Sequence, residues 1–113
     1  MSTLKEKLEK ALALIEKGWC QYANAKSDAG YPTNPKGPLA AKWCLHGAMY
    51  AAGILNADYT TAEDVKQALH EVVTSLKWPN TDNFNGTIVG WNDAPERTQE
   101  DVVKRLQDMI AKA

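Results

Sequence analysis

Apolar residues recur at helical spacing in four separate segments of this chain, and this periodicity constrains its fold more than any other feature. The first segment follows Thr3–Glu6, which has the form of a capping box, and runs to Gly18. The second, Leu39–Gly53, is apolar on nearly every face. It therefore predicts the central and most buried helix.

The two remaining segments lie in the second half of the chain. One starts at Thr60–Glu63 and is expected to end at Trp78–Pro79, because a proline disfavours helix at the residue before it. The other starts at Thr98, which acidic residues follow, as they commonly do in a first helical turn. A short helix is expected over Thr87–Trp91, after a polar connector over Asn80–Gly86. The chain is thus predicted to be all-α: one small single-domain bundle of about four to five helices over residues 1–113.

A long loop is predicted directly after the first helix. From Gln21 to Pro38 the chain is dense in glycine, proline, asparagine and aspartate, which favour turns and exclude a long helix or a central strand. A loop of this length in a compact domain is usually functional or disordered. We expect it to be ordered and to provide the contact surface, with Tyr22 and Tyr31 as anchors.

Composition excludes several classes of protein. The 113 residues carry a net charge of -1, so no overall basic field attracts nucleic acid or an anionic membrane. No apolar run approaches the roughly 20 residues of a membrane span, and the charged first segment does not resemble a secretory signal. We therefore expect a cytoplasmic protein with two free cysteines, no membrane contact and no general nucleic-acid binding.

Three tryptophans lie in short polar clusters: Gly18-Trp19-Cys20-Gln21, Lys42-Trp43-Cys44-Leu45-His46-Gly47-Ala48 and Gly90-Trp91-Asn92-Asp93. A tryptophan among polar neighbours suggests a buried polar network, because its ring must be buried and its N–H then needs a partner. We expect Arg97 to clamp Asp93 or Asp28 and so tie the last helix to the first loop. The predicted structural network is Trp19, Asp28, Trp43, Asn92 and Asp93.

These motifs, in this order, resemble an uncharacterised domain family of bacterial and bacteriophage proteins marked by a Trp-Asn-Asp motif. The resemblance covers nearly the whole chain and implies a compact domain of unassigned activity, with no catalytic role to carry over. This chain departs from the family pattern at Asp93-Ala94-Pro95-Glu96-Arg97-Thr98, where an Asp-Pro-Gly-Arg-Thr-like run is usual. It also has Ala25-Lys26-Ser27-Asp28 in place of a more common Arg-Asp pair.

Metal binding and thiol catalysis are two alternative functions that the cysteines and histidines could serve. Cys20, Cys44, His46 and His70 could supply zinc ligands, but the chain lacks any Cys-x-x-Cys pair. A Cys-dependent hydrolase needs a histidine beside the thiolate, which Cys20 and His46 could provide only across the fold. We expect neither a metal, nor a cofactor, nor a catalytic residue.

A binding function is therefore predicted. The ligand would be small, anionic or planar, and nucleotide-like, held in a cleft lined by tryptophan and tyrosine as in a phage-type effector that sequesters it. Lys26 and Lys36 are further candidates to neutralise its charge. The alternative is a module that blocks or bridges a host protein. The predicted ligand-binding residues are Gln21, Tyr22, Tyr31, Lys42, His46, Trp91 and Arg97.

Overall fold

The computed structural model describes residues 3–76 and 84–113, and in them the chain forms five helices and one small antiparallel ribbon. The predicted small all-α domain is thus confirmed. No helix in these two ranges is long and apolar enough to cross a membrane. The elements are α1 (Leu4–Lys17), β1 (Ala25–Lys26), β2 (Lys42–Trp43), α2 (Leu45–Ala51), α3 (Glu63–Ser75), α4 (Phe84–Asn92) and α5 (Gln99–Lys112).

Capping boxes start the first and last helices, as the sequence predicts for the first. The Thr3 hydroxyl accepts from the backbone N–H of Glu6, whose carboxylate accepts from the N–H of Thr3. Thr98 and Asp101 do the same at the start of α5. Such reciprocal bonds satisfy N–H groups that have no partner inside the helix.

The core is built around α1, which packs most extensively against α5 and next against α2. The side-chain amide of Gln99 also donates to the carbonyl of Ile15 at 2.7 Å, which joins the start of α5 to the end of α1. Both helices bury one stripe, as the periodicity predicts. The fully buried residues of these stripes are Leu8, Ala11, Ile15, Val102, Leu106 and Met109.

The second helix is buried but shorter than Leu39–Gly53, so this prediction of its bounds is wrong. Leu39 is exposed, and Lys42–Trp43 forms β2. The cause is tertiary: the N–H of Trp43 donates to the carbonyl of Gly18, which holds the chain extended until Cys44 starts the helix.

The start of α3 and the connector before α4 also differ from the prediction. Ala62 is the N-cap of α3, and its methyl side chain cannot cap the helix. The hydroxyl of neighbouring Thr61 donates to Asn85 at 2.7 Å. The predicted end at Trp78–Pro79 lies outside the described residues, as does the connector up to residue 83. Its last three residues belong to α4, which begins at Phe84 and is longer than the short helix expected.

The segment after α1 is an ordered loop, as predicted, with β1 inside it. The N–H of Ser27 donates to the carbonyl of Tyr31, and Gly30 takes the positive φ of +87° that the turn requires. Ala25 is fully buried and pairs with Trp43 across the ribbon, while Lys26 pairs with Lys42. The ribbon thus fixes the loop to the chain just before α2.

Candidate functional site

A single buried side chain, that of Asn92 at the end of α4, joins three distant segments of the chain. Its amide oxygen accepts from the indole N–H of Trp19 at 2.8 Å and from the backbone N–H of Leu45 at 3.0 Å. Its amide nitrogen donates to the carbonyl of Cys20 at 3.2 Å and to the Asp93 carboxylate at 3.0 Å. These four bonds use the whole hydrogen-bonding capacity of an asparagine amide.

Gln21 and Asp93 extend this network to the surface. The Gln21 amide donates to the carbonyls of Asn92, at 3.0 Å, and Ala94, at 2.8 Å. The Asp93 carboxylate accepts from the backbone N–H of Tyr22 at 2.9 Å. The Trp-Cys-Gln and Trp-Asn-Asp motifs are therefore in direct contact, and the predicted ligand-binding residue Gln21 is engaged within the protein.

Arg97 lies on Trp91 rather than on an acidic residue. Its guanidinium carbon is 4.1 Å from the centre of the buried Trp91 ring, and its Nε donates to the Trp91 carbonyl at 2.8 Å. Within residues 3–76 and 84–113 it makes no salt bridge. The expected clamp on Asp93 or Asp28 is therefore wrong, because stacking and the backbone bond already occupy the guanidinium.

The other predicted residues of the polar network and the loop lie apart from Asn92. The indole N–H of buried Trp43 donates to the carbonyl of Pro35 at 3.0 Å and so anchors the loop to β2. Asp28 and Tyr31 lie on the exposed turn after β1, and Lys42 is exposed on the ribbon.

His46, in the first turn of α2, is buried with both ring nitrogens bonded. Nδ1 is 2.9 Å from Oδ1 of Asn24, and Nε2 is 3.0 Å from Nδ2 of Asn85. The Asn85 amide nitrogen also donates to the carbonyl of Tyr59, and its oxygen accepts from Thr61, so its orientation is fixed. Because Nε2 must accept, the neutral ring carries its proton on Nδ1. Burial lowers the pKa of His46 below its ordinary value, in agreement with a neutral ring.

The His46 ring is the last member of an aromatic stack. It lies 5.6 Å from the Tyr59 ring at 15°, and Tyr59 lies 4.1 Å from Tyr50 at 16°. The ammonium of Lys36 is 4.6 Å from the centre of the Tyr50 ring. The loop before β2 is thereby linked to the connection between α2 and α3.

Two adjacent hollows meet at His46 and Val89. The larger, here called the Tyr59 hollow, has a volume of about 610 Å³, and the smaller, the Tyr22 hollow, of about 320 Å³. Besides the two shared residues, the Tyr59 hollow is lined by Asp58, Tyr59, Thr60, Thr61, Lys66, Asn85 and Gly86. The Tyr22 hollow is lined by Tyr22, Ala23, Asn24, Cys44 and Asp93. Trp91 and Arg97 line neither.

Both hollows contain a tyrosine with left-handed backbone. Tyr22 has a φ of +68° and Tyr59 a φ of +67°, and in the described ranges no other residue except glycine has a positive φ. Asp93 holds the N–H of Tyr22, while the Tyr59 N–H donates to Asn56 at 2.9 Å and its carbonyl accepts from Asn85. The predicted ligand-binding residues do not include Asn24, Tyr59 and Asn85, because no local sequence pattern marks these positions.

Both cysteines are buried and form no disulfide, and each sulfur is hydrogen-bonded to a neighbouring residue. The Cys44 sulfur caps α2 by accepting from the N–H of Gly47 at 3.2 Å and lies 3.7 Å from the Asn24 amide oxygen. Burial raises the pKa of Cys44 to about 12. Cys20 donates to the carbonyl of Ala23 at 3.6 Å, and burial also raises its pKa. Neither thiol forms a hydrogen bond with the imidazole ring of His46 within the part of the chain that is described.

Close backbone packing fixes Asn24 against α2. The backbone N–H of Cys44 donates to the carbonyl of Asn24 at 3.1 Å. A Cβ atom on Gly47 would lie 1.8 Å from that same carbonyl oxygen, so only glycine fits there. The wall between the Tyr22 hollow and α2 is therefore rigidly positioned.

Comparison with known proteins places the chain in a family. The model of DUF6197, described as a family of unknown function, matches residues 1–112, so the chain belongs to that family. This confirms the predicted membership of a domain family without an assigned function, while a phage origin stays a prediction. No curated protein and no solved structure gives a significant match.

Proposed function

We propose that this member of the family is a small binding domain without catalytic machinery, which holds a planar, nucleotide-like ligand over His46 and Val89, between Tyr22 and Tyr59. The observation that carries the proposal is the left-handed backbone of both tyrosines at the two hollows. Residues held in sparsely populated backbone regions cluster at ligand sites. The hollow volumes also fall in or near the range of small-molecule sites, roughly 300–1,000 Å³.

The exposed ring of Tyr22 also supports a ligand site at this position. A left-handed backbone costs a tyrosine on the order of 1–3 kcal/mol, whereas a glycine would adopt it without strain. The side chain does not repay this cost by packing, because 70% of it is exposed. It is therefore available to contact a ligand, and stacking on a base contributes about 1–3 kcal/mol per ring.

The Cys44 thiol and the His46 imidazole at this site are not available for thiol catalysis, which favours binding over that chemistry. A thiol whose pKa is about 12 is almost entirely protonated at neutral pH, so Cys44 is not activated. Both nitrogens of His46 are bonded to amides. These contacts argue against the alternative Cys-dependent hydrolase, which needs a thiolate beside an imidazole.

Only some of the predicted ligand-binding residues contact the ligand directly in the proposed site. Tyr22 and His46 stay as direct contacts, and Tyr59 joins them. Gln21 supports the site from behind through the carbonyls of Asn92 and Ala94. Half-buried Arg97 stacks on the buried Trp91 ring and neither residue lines a hollow, so a role for them in binding is indirect.

A pair of matched variants tests the proposal. Tyr22 and Tyr31 are equally exposed, at 70% and 72%, but only Tyr22 lines a hollow. Titrating the protein with common ribonucleosides, followed by NMR shifts of backbone amides, should show binding near His46 and Val89. Tyr22→Ala should weaken it about fivefold or more, as expected for loss of roughly 1 kcal/mol of stacking. Tyr31→Ala should leave it unchanged. Absence of shifts near His46, or equal effects of both variants, would refute a nucleoside site here.

A second candidate function is interaction with a host protein. It is favoured by Tyr31 and Leu39, which are 72% and 69% exposed on the loop between β1 and β2. Exposed aromatic and aliphatic anchors carry binding energy at protein interfaces. Retention of a protein partner that Tyr31→Ala abolishes and Tyr22→Ala preserves would favour this function over the first.

We also propose that the domain works in the cytoplasm of a bacterium, or of one infected by a phage. Cys20 and Cys44 are free, which is typical of a reducing compartment. The phage assignment rests on the resemblance of the sequence motifs alone.

A further inference from the structure

Two lysines lie directly opposite each other on the ribbon. Lys26 and Lys42 are register partners in the antiparallel pair of β1 and β2, so their side chains project from the same face. Neither takes part in a salt bridge within the described ranges. Like charges directly opposite each other destabilise a sheet. A bound anion would offset the repulsion between these two ammonium groups.

The lysine pair lies next to the Tyr22 hollow. The carbon stem of Lys42 packs on Gly18, while the bridge between Trp19 and Trp43 sets the chain after α1 beside β2. Asn24 and Cys44, which line that hollow, lie two positions from Lys26 and Lys42 along the same two segments. The N–H of Cys44 donates to the carbonyl of Asn24, so the pairing of these segments continues from the lysines to the hollow.

The Asp93 carboxylate, which lines the Tyr22 hollow, does not neutralise the pair. It accepts from the N–H of Tyr22 and from the side-chain amide of Asn92. It forms no salt bridge with either lysine. Two ammonium groups side by side match the charge of roughly −2 on a phosphate monoester at neutral pH.

We infer that Lys26 and Lys42 together bind the phosphate group of the ligand whose planar part stacks at Tyr22. This inference rests on the proposed function and makes the ligand a nucleotide rather than a nucleoside. Lysine binds phosphate as a point charge and does not dictate geometry as arginine does. Binding of the phosphate should therefore weaken steadily as salt rises.

The experiment compares the binding of ribonucleosides and of their 5′-monophosphates to the whole 113-residue chain, with NMR shifts as the readout. The double variant Lys26→Gln, Lys42→Gln is matched by Lys5→Gln, Lys10→Gln, which removes the same charge from the exposed face of α1. The monophosphate should bind about tenfold more tightly than the nucleoside at low salt, equivalent to roughly 1.4 kcal/mol. This advantage should vanish in the first double variant and persist in the second.

Inorganic phosphate serves as an independent probe of the lysine pair. Millimolar phosphate should shift the backbone amides of Lys26 and Lys42 in the wild-type protein and not in Lys26→Gln, Lys42→Gln. Nucleosides that bind near His46 without any gain from the phosphate would overturn this inference and leave the proposed function intact. Phosphate shifts at the lysines without nucleoside binding would refute the proposed function alone. Loss of the monophosphate advantage in both double variants would also overturn the inference, because it would reflect net charge only.

Discussion

The indole N–H of Trp19 donates to the side-chain oxygen of Asn92 at 2.8 Å, although 73 positions separate the two residues in the chain. The bond joins the segment directly after α1 to the end of α4. Because Asn92 also bonds Leu45 and Cys20, its amide connects this segment, the start of α2 and the end of α4. Stability is therefore expected to depend strongly on this one side chain.

The first prediction is that Asn92→Ala greatly destabilises the fold. The change leaves three groups without partners: the buried N–H of Leu45, the buried carbonyl of Cys20 and the indole N–H of half-buried Trp19. Each unpaired buried group costs on the order of 1–3 kcal/mol, so the free energy of unfolding should fall by at least about 3 kcal/mol. Urea unfolding measures it. Asn34→Ala, which removes one exposed bond to Lys36, is the control and should cost less than about 1 kcal/mol. Equal effects would mean that the Asn92 network is redundant.

The second prediction is that Tyr22→Gly does not destabilise the protein. Glycine relieves the left-handed strain at φ +68°, and the exposed ring loses little packing. Tyr31→Gly is the matched control, because Tyr31 is as exposed but has no positive φ, so glycine there only adds freedom to the unfolded chain. Thermal unfolding should place Tyr22→Gly above Tyr31→Gly by about 1 kcal/mol or more. The reverse order would show that the Tyr22 ring stabilises the fold and would remove the basis of the proposed site.

The third prediction concerns pH. In the unfolded chain His46 takes up a proton near pH 6.5, but burial lowers its pKa in the folded protein. Between these two values the unfolded state binds more protons, so the free energy of unfolding falls as the pH drops below about 6.5. It levels off once the folded ring is protonated. Urea unfolding over this range should show the decline in the wild type and in His70→Gln, and a smaller one in His46→Gln. Parallel profiles in wild type and His46→Gln would mean that burial does not lower the pKa of His46.

The fourth prediction is that both thiols are inert in the folded protein. Burial raises the pKa of Cys44 to about 12 and raises the pKa of Cys20, while the thiolate is the reactive form. Iodoacetamide at mildly alkaline pH should label neither cysteine before unfolding and both in urea, as read by mass spectrometry. Cys44→Ser should keep the fold, because a serine hydroxyl can also cap α2 through the N–H of Gly47. Rapid labelling of a single cysteine under native conditions would reopen thiol chemistry.

Local patterns in the sequence predict the elements whose causes are local. The capping box at Thr3 and Glu6 and the buried stripe of α1 follow from residues within a few positions of each other. The start of α2 does not, because pairing of Trp43 with Gly18 keeps Lys42–Trp43 extended. An isolated sequence gives no sign of that partner.

The same distinction applies to the candidate site. The polar residues around tryptophan indicate a buried network, and the structure brings Trp19 and Asn92 together. It does not bring Arg97 to an acidic residue, since the nearby Trp91 ring and carbonyl satisfy it. The roles of Tyr59 and Asn85 depend on backbone conformation and on contacts with His46, and no spacing in the sequence encodes either.

The position of Asn92 in the chain has a consequence for the order of folding. Its amide can bond Trp19 and Leu45 only after two loops of 73 and 47 positions have closed. Closing long loops costs entropy before any contact forms, so this network should form after the rate-limiting barrier. Substitution of Asn92 would then accelerate unfolding and leave the refolding rate almost unchanged. The Asn92 side chain would stabilise the native state only after the folding transition state, and so it would lengthen the lifetime of the native state without speeding its formation.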